Sequence, residues 1–150
     1  MSLSIALFLH MLATVVWVGG MFFAYLCLRP VAGTILEPPL RLSLWTKTLA
    51  RFFPWVWAAV VMLAITGSWM VMHMGGFAAV GGYVHIMSGL GVLMMSIFVY
   101  VFFGPYRRLR GAVATNDLPT GGKALGRIRI LVGINLLLGS IEIAVVRLLR

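Results

Sequence analysis

The stretch LSIALFLHMLATVVWVGGMFFAYLCL, residues 3–28, decides the fold, because it is apolar throughout apart from a few small polar residues and one histidine, His10. A helix rises 1.5 Å per residue, so about 20 apolar residues cross a hydrocarbon core of about 30 Å. Three further runs of similar character lie at 53–74, 83–104 and 128–147. Lipid offers no partner for free backbone groups, so each run is predicted to be an α-helix. The sequence therefore predicts an all-α integral membrane protein, a four-helix up-down bundle.

Composition agrees with this prediction, since 62% of the residues are hydrophobic and 10% are charged. The chain length of 150 residues suits one transmembrane domain over residues 1–150. The net charge of +9 comes from short basic clusters between apolar runs and not from one polar face, which favours a lipid bilayer and no nucleic acid as the partner. The single cysteine, Cys27, excludes an internal disulfide, and no CxxCH motif offers covalent haem attachment.

The charges of the connections predict the topology. Ten of the twelve Lys and Arg residues lie in the first and third connections, 29–51 and 105–129, whereas the second connection, GGFAAVGG at 75–82, has none. The remaining two are Arg147 and Arg150. By the positive-inside rule, connections one and three are cytoplasmic and both termini face outward. The predicted location is the cytoplasmic (inner) membrane of a bacterium.

The two long connections carry structural signals of their own. Apolar residues recur at helical spacing after Pro38 and Pro39, which predicts either a short interfacial helix between spans one and two or an extension of span two broken near Pro54. The third connection contains Asn116, Asp117, Pro119 and a Gly-Gly pair, and it is predicted to be a polar loop rich in turns.

Four candidate functional side chains, three histidines and one glutamate, lie within the apolar runs: His10, His73, His85 and Glu142. Ionisable groups in membrane helices are costly, and they usually face the bundle interior and serve a function. The predicted topology places all four in the outer half of the membrane.

Helical spacing adds further residues to the same faces. His10 shares a side of span one with Trp17, His85 shares a side of span three with Gly89, and Glu142 follows Asn135 by two turns. Small residues on these faces, Gly20 among them, either bring helices close together or leave room for a flat macrocycle.

One hypothesis assigns His10 and His85 as axial ligands of one or two b-type haems. Trp17, Gly20, Gly89 and Asn135 would then line the haem. Glu142 would take part in proton transfer or hydrogen-bond a ligand.

A second hypothesis places copper at the end of span two, where WMVMHM contains Met70, His73 and Met74. Thioether sulfur suits Cu(I), and imidazole binds either oxidation state of copper. Methionine is also an ordinary side chain in apolar cores, so the same cluster fits simple helix contacts.

The sequence resembles a known family most clearly in span one, where His10 is followed by Trp17 and by Gly19-Gly20. This arrangement resembles CopD-like membrane proteins and the related HemJ-type protoporphyrinogen oxidases, and YVHIM at 83–87 resembles the start of the third HemJ span. The resemblance implies a four-helix membrane fold, with His10 and His85 as haem or metal ligands. Met87 stands where the HemJ pattern has a lysine, so the resemblance does not extend to protoporphyrinogen oxidation.

The preferred interpretation is a b-type haem protein that transfers electrons between membrane quinone and a periplasmic redox partner, acting as a membrane oxidoreductase. Copper transport or resistance is the alternative. A third interpretation is an accessory subunit without a cofactor. In that case the exposed aromatic and methionine side chains would contact a larger membrane complex or a second copy of the chain.

Overall fold

The structure is a computed structural model that describes residues 2–148, so the predicted position of Arg150 lies outside the described residues. The described chain is almost wholly helical. Its elements, in chain order, are α1 Leu3–Phe22, a π-helical segment Phe23–Leu28, α2 Arg29–Ile35, α3 Pro38–His73, α4 Gly82–Phe103, α5 Pro105–Ala114 and α6 Leu118–Leu148. The all-α prediction is confirmed.

Four helical stretches are long and apolar enough to cross a membrane: Leu3–Ile35, Pro38–His73, Gly82–Ala114 and Leu118–Val146. Large apolar side chains cover much of their outer surface, and Phe8, Val15 and Leu137 are each more than 60% exposed. A soluble protein would bury such side chains, whereas a bilayer solvates them. The four-helix membrane bundle predicted from the sequence is therefore confirmed.

Side-chain contacts give the order and direction of the helices. α1 packs against α3, with His10 beside Thr66 and Gly20 beside Phe52, so the two helices are antiparallel. α6 lies between α1 and α4, because Gly139 is close to side chains of both. The bundle thus follows the up-down order that short connections impose.

Aromatic side chains fill the space between α3 and α4. Phe53 and Trp57 of α3 meet Phe98 and Phe102 of α4 in edge-to-face pairs, with ring centroids 5.1 to 5.8 Å apart. Edge-to-face contact is the favoured arrangement of aromatic rings, and it fixes the spacing of these helices.

The first connection is helical over more of its length than a separate interfacial helix would require. Residues 36 and 37 alone interrupt the helix, and α3 then runs unbroken from Pro38 to His73, with Pro54 inside it. Of the two predicted forms, the extension of span two is the one observed, but without a break at Pro54. Neighbouring helices commonly support a proline inside a membrane helix.

The prediction of a turn-rich third connection is wrong. α5 ends at Ala114 and α6 begins at Leu118, so only residues 115–117 lie outside a helix. Gly121 belongs to α6, and a methyl group at its Cα would lie 2.8 Å from Leu42 Cδ1. The glycine therefore allows α6 to approach α3 closely, and it does not mark a turn.

The bundle has two chemically different ends. We call the end formed by α2, the first turns of α3, α5 and the first turns of α6 the basic end, since it carries ten Lys and Arg residues. The opposite end, with the connection 74–81 between α3 and α4, carries His10, His73 and His85 and is called the histidine end.

Candidate functional site

His10 turns its imidazole from α1 toward α3. Its Nδ1 lies 2.8 Å from the hydroxyl oxygen of Thr66, and the ring passes beside Gly67, where an added Cβ would lie 3.4 Å from His10 Cε1. A larger residue at position 67 would crowd the ring. The pair Thr66-Gly67 thus provides both a hydrogen-bond partner and space for the histidine.

The hydrogen bonds around Thr66 assign the tautomer of His10. The Thr66 hydroxyl lies 2.6 Å from the carbonyl oxygen of Met62, one turn earlier in α3, and it donates its single proton there. Its oxygen then accepts a hydrogen bond from Nδ1–H of His10. Nε2 of the neutral ring has no hydrogen bond to any of residues 2–148, so its lone pair is free to bind a metal ion.

His85 has a different environment in the first turn of α4. Its side chain is exposed, its Nδ1 lies 3.4 Å from the carbonyl oxygen of Gly81, and its ring is 5.6 Å from that of Phe77. Within the described chain, the structure does not bring the rings of His10 and His85 into contact.

The two histidines nevertheless lie at similar depth. A Cβ added to Gly139 of α6 would lie 2.9 Å from Val18 and 3.2 Å from Met94, so these two side chains are level with each other. His10 precedes Val18 by eight residues and His85 precedes Met94 by nine, or about 12 and 13.5 Å at the helical rise. Any group that reached both side chains would lie across one layer of the bundle.

Two polar side chains of α6 face α4. Half-buried Glu142 lies beside Gly91, where an added Cβ would be 3.7 Å from Glu142 Oε1. Asn135, only 3% exposed, donates from Nδ2 to the carbonyl oxygen of Met94 over 3.1 Å. Its Oδ1 is buried and accepts no hydrogen bond from residues 2–148, so within the described chain Asn135 keeps an unused acceptor.

The other residues predicted to line a haem differ in their surroundings. Trp17 is 3% exposed, and its ring meets that of Phe98 at 6.2 Å. Gly20 faces the ring of Phe52, which occupies the space that a side chain would fill. Gly89 is exposed, and among residues 2–148 nothing lies within 4 Å of an added Cβ. Gly20 is thus a helix-contact residue, while Gly89 lies at the exposed surface of α4.

The predicted copper ligands lie at the end of α3. Met70 is half-buried, His73 is exposed and stacks on Trp69 at 4.8 Å, and Met74 is 43% exposed. Across residues 2–148, no three side chains of His, Cys, Asp or Glu come together as a metal-binding group. A copper ion here would therefore depend on thioether sulfur together with His73.

Sequence reasoning missed Thr66. A threonine in an apolar helix usually satisfies its hydroxyl on the preceding turn of its own helix, so it gives little signal by itself. The one feature of the sequence that could have indicated this contact is the Thr66-Gly67 pair, which lies at the depth expected for His10.

Comparison with protein families matches residues 46–149, more than half of the chain, to the family described as CopD, copper resistance protein D. Searches among curated proteins and among solved structures gave no match. The matched region contains α4, α5, α6 and most of α3, including Thr66, His85 and Glu142, whereas His10 precedes it. Four apolar membrane helices in this arrangement agree with the match, and the chain belongs to the CopD family.

Proposed function

We propose that this CopD-family protein binds b-type haem through His10 at the histidine end of the bundle and transfers electrons between membrane quinone and an acceptor outside the cytoplasmic membrane. The observation that carries the proposal is the hydrogen bond from His10 Nδ1 to Thr66, because it leaves Nε2 of a half-buried imidazole available as a ligand. Bound haem would supply a one-electron carrier at this position.

The requirements of a haem ligand explain the surroundings of His10. A ligating histidine is usually oriented by a hydrogen bond at its other ring nitrogen, which fixes the tautomer and the ring plane. Thr66 supplies that hydrogen bond from the neighbouring helix. Gly67 allows the ring to lie against α3, so the imidazole has little freedom to rotate.

His85 is the proposed second ligand. By the helical rise, the depth of His85 is within about 2 Å of the depth of His10. One turn further along α4, Gly89 leaves open space beside the helix. Glu142 is the nearest carboxylate of α6 to this layer, and we assign it to proton transfer. By the helical rise from the level of Gly139 and Val18, Glu142 lies about 7.5 Å from His10 along the bundle axis, so we assign it as a proton carrier and not as an iron ligand.

The orientation of the bundle is part of the proposal. The basic end would face the cytoplasm, since basic residues resist translocation, and the histidine end would face outward. His10 and His85 would then lie where a periplasmic redox partner can approach.

The test is to express the chain in a bacterial membrane, purify it in detergent and record oxidised and dithionite-reduced absorption spectra, with a pyridine haemochrome assay. The expected result is near-stoichiometric haem b, with most of it lost in His10→Ala. His73→Ala is the matched control, because His73 is exposed and stacks on Trp69 of its own helix. Full haem occupancy in His10→Ala would overturn the assignment of this ligand.

Copper handling is a second candidate, favoured by the family match, which includes Met70, His73 and Met74. Metal analysis of the same preparation distinguishes the two functions. Colourless protein that carries copper, and loses it in Met70→Leu and Met74→Leu, would favour copper. Met72→Leu is the control, because Met72 is 69% exposed in the same turn. Protein without haem or copper would favour an accessory subunit.

A further inference from the structure

A large cavity lies at the basic end of the bundle, away from the histidines. It has a volume of about 700 Å³ and lies between α1, the π-helical segment, α2, α3, α4 and α6. Sites for small molecules typically measure about 300–1,000 Å³. No histidine or cysteine is among the described residues that line it, so the cavity offers no strong iron ligand and does not include His10 or His85. Trp17 and Asn135, which the sequence predicts to line a haem, also line this cavity.

The local backbone explains why helices of this bundle leave such a space. Pro30 has no N–H, and its ring would clash with the carbonyl of Leu26, which accounts for the π-helical turns at 23–28. Two lining glycines, Gly33 and Gly126, have nothing within 4 Å of an added Cβ. Helix distortion and missing side chains together keep the helices from filling the cavity.

The inner wall is apolar and largely aromatic. Its large side chains include Trp17, Trp45, Phe52, Phe53 and Phe98. Four of these five residues belong to α3 or α1. Such a wall has no group that would hold a small hydrated anion, but it suits the hydrocarbon part of an amphiphile.

Three guanidinium groups line the same cavity, and no described lining residue is Asp or Glu. Arg41 donates from Nε and one terminal nitrogen to the carbonyl oxygen of Leu36, over 3.3 and 3.0 Å. Arg29 lies over the ring of Tyr25, 5.0 Å from its centroid. These contacts position Arg41 and Arg29 without neutralising their charges. Together with Arg129 they form a cluster of positive charge that favours the binding of an anion.

The charged and apolar parts of the cavity lie at different depths. Asn135 follows Arg129 by six residues on α6, which is about 9 Å deeper into the bundle. With the four long helices across a bilayer, the cavity would extend from the level of the lipid head groups into the hydrocarbon region. Basic pockets between membrane helices at the cytoplasmic side are typical binding sites for anionic lipid head groups.

We propose that this cavity binds one anionic phospholipid, with its phosphate against Arg29, Arg41 and Arg129 and its hydrocarbon along the aromatic wall. The charge of the cluster selects the head group, and the apolar depth of the cavity selects a lipid over a soluble phosphate. This site is independent of whether the histidine end holds haem or copper.

The experiment is native mass spectrometry of the detergent-purified full chain, titrated with phosphatidylglycerol or with phosphatidylcholine. We expect one phosphatidylglycerol to bind in preference to phosphatidylcholine. Arg29→Gln and Arg129→Gln should each weaken that binding roughly five-fold, as expected for one basic residue at an anionic lipid. The matched control is Arg127→Gln, which removes the same charge from an exposed position of α6 that does not line the cavity.

A cavity-filling variant tests the position of the lipid without removing charge. Gly126→Phe should abolish phosphatidylglycerol binding, while Gly111→Phe, at an exposed glycine of α5, should leave it unchanged. Equal weakening by Arg127→Gln would place the lipid on the outer surface and overturn the proposal. Equal binding of phosphatidylcholine, or full displacement by millimolar inorganic phosphate, would overturn it as well.

Discussion

The hydrogen bond between His10 and Thr66 joins α1 to α3. The Thr66 hydroxyl already has an acceptor in its own helix, the carbonyl oxygen of Met62. Its oxygen lone pairs therefore remain for His10 Nδ1–H, and an imidazole that would be costly in hydrocarbon gains a partner. The same bond directs Nε2 away from Thr66, which is the arrangement that a ligand requires.

We predict that Thr66→Val weakens haem or metal binding at His10 by about 10- to 100-fold, the usual effect of removing the hydrogen-bond partner of a ligating histidine. Valine keeps the shape of threonine but cannot accept a hydrogen bond from Nδ1–H of His10. Titration of the apoprotein with haem, or with copper, measures the change. Thr66→Ser should restore most of the affinity and the wild-type absorption spectrum. Unchanged affinity in Thr66→Val would show that the bond only positions helices.

The sequence identifies His10 but not its partner, for a physical reason. An ionisable group in an apolar run stands out because it is costly there, wherever its partner lies. The free-energy cost of placing a threonine in a membrane helix is small, so only the three-dimensional structure reveals the second hydrogen bond of Thr66. The unused acceptor of Asn135 is likewise visible only once Met94 is seen to occupy Nδ2.

At the scale of elements, the start of α6 depends on residues 115–117, which connect α5 to α6. Asn116 adopts a positive φ of 55°, a conformation that asparagine tolerates better than most residues. Asp117 then caps α6, since its Oδ1 accepts a hydrogen bond from the backbone amide of Thr120 over 3.1 Å. Hydrogen bonds from the side chain and the backbone of Thr120 hold the pKa of the Asp117 carboxyl below its usual value.

We predict that Asp117→Ala lowers the thermal midpoint of the detergent-solubilised protein at pH 7, and that this difference shrinks in acid. A carboxyl whose pKa is lowered by folding contributes stability above its unfolded pKa, about 3.9, and loses it as pH falls through the lower folded value. Thermal unfolding at pH 7 and near pH 3 measures the effect. Asp117→Asn keeps the cap without the charge, and its midpoint should depend less on pH. An Asp117→Ala deficit of equal size at both pH values would contradict this role.

The helices of the third connection show why turn signals can mislead in a membrane bundle. Gly121 and Gly122, beside Pro119, match the composition of a loop. In the structure Pro119 lies in the first turn of α6, where its missing N–H costs nothing, and buried Gly121 lets Leu42 and Ala112 approach the helix. Close helix contacts use the same small residues as turns, and composition alone does not separate the two.

At the scale of the whole molecule, the bundle extends beyond the membrane at one end. α3 has 36 residues, so it is about 54 Å long, well beyond a hydrocarbon core of about 30 Å. The excess carries Arg41, Lys47 and Arg51, and the first turns of α6 carry further basic residues. Span number, helix order and charge distribution follow from the sequence because each depends on local composition. The cavity does not, because it depends on how distorted helices pack.

Charge distribution also predicts which end of the bundle faces the cytoplasm, and single-cysteine labelling checks it. In a Cys27→Ala background, Ala78→Cys places a thiol in the exposed connection between α3 and α4, and Ala114→Cys places one at the exposed end of α5. A membrane-impermeant maleimide should label Ala78→Cys in intact spheroplasts, and Ala114→Cys only after permeabilisation, because basic segments are retained inside. The reverse pattern would put the basic end and its lipid cavity outside, and His10 would then lie in the cytoplasmic half of the membrane.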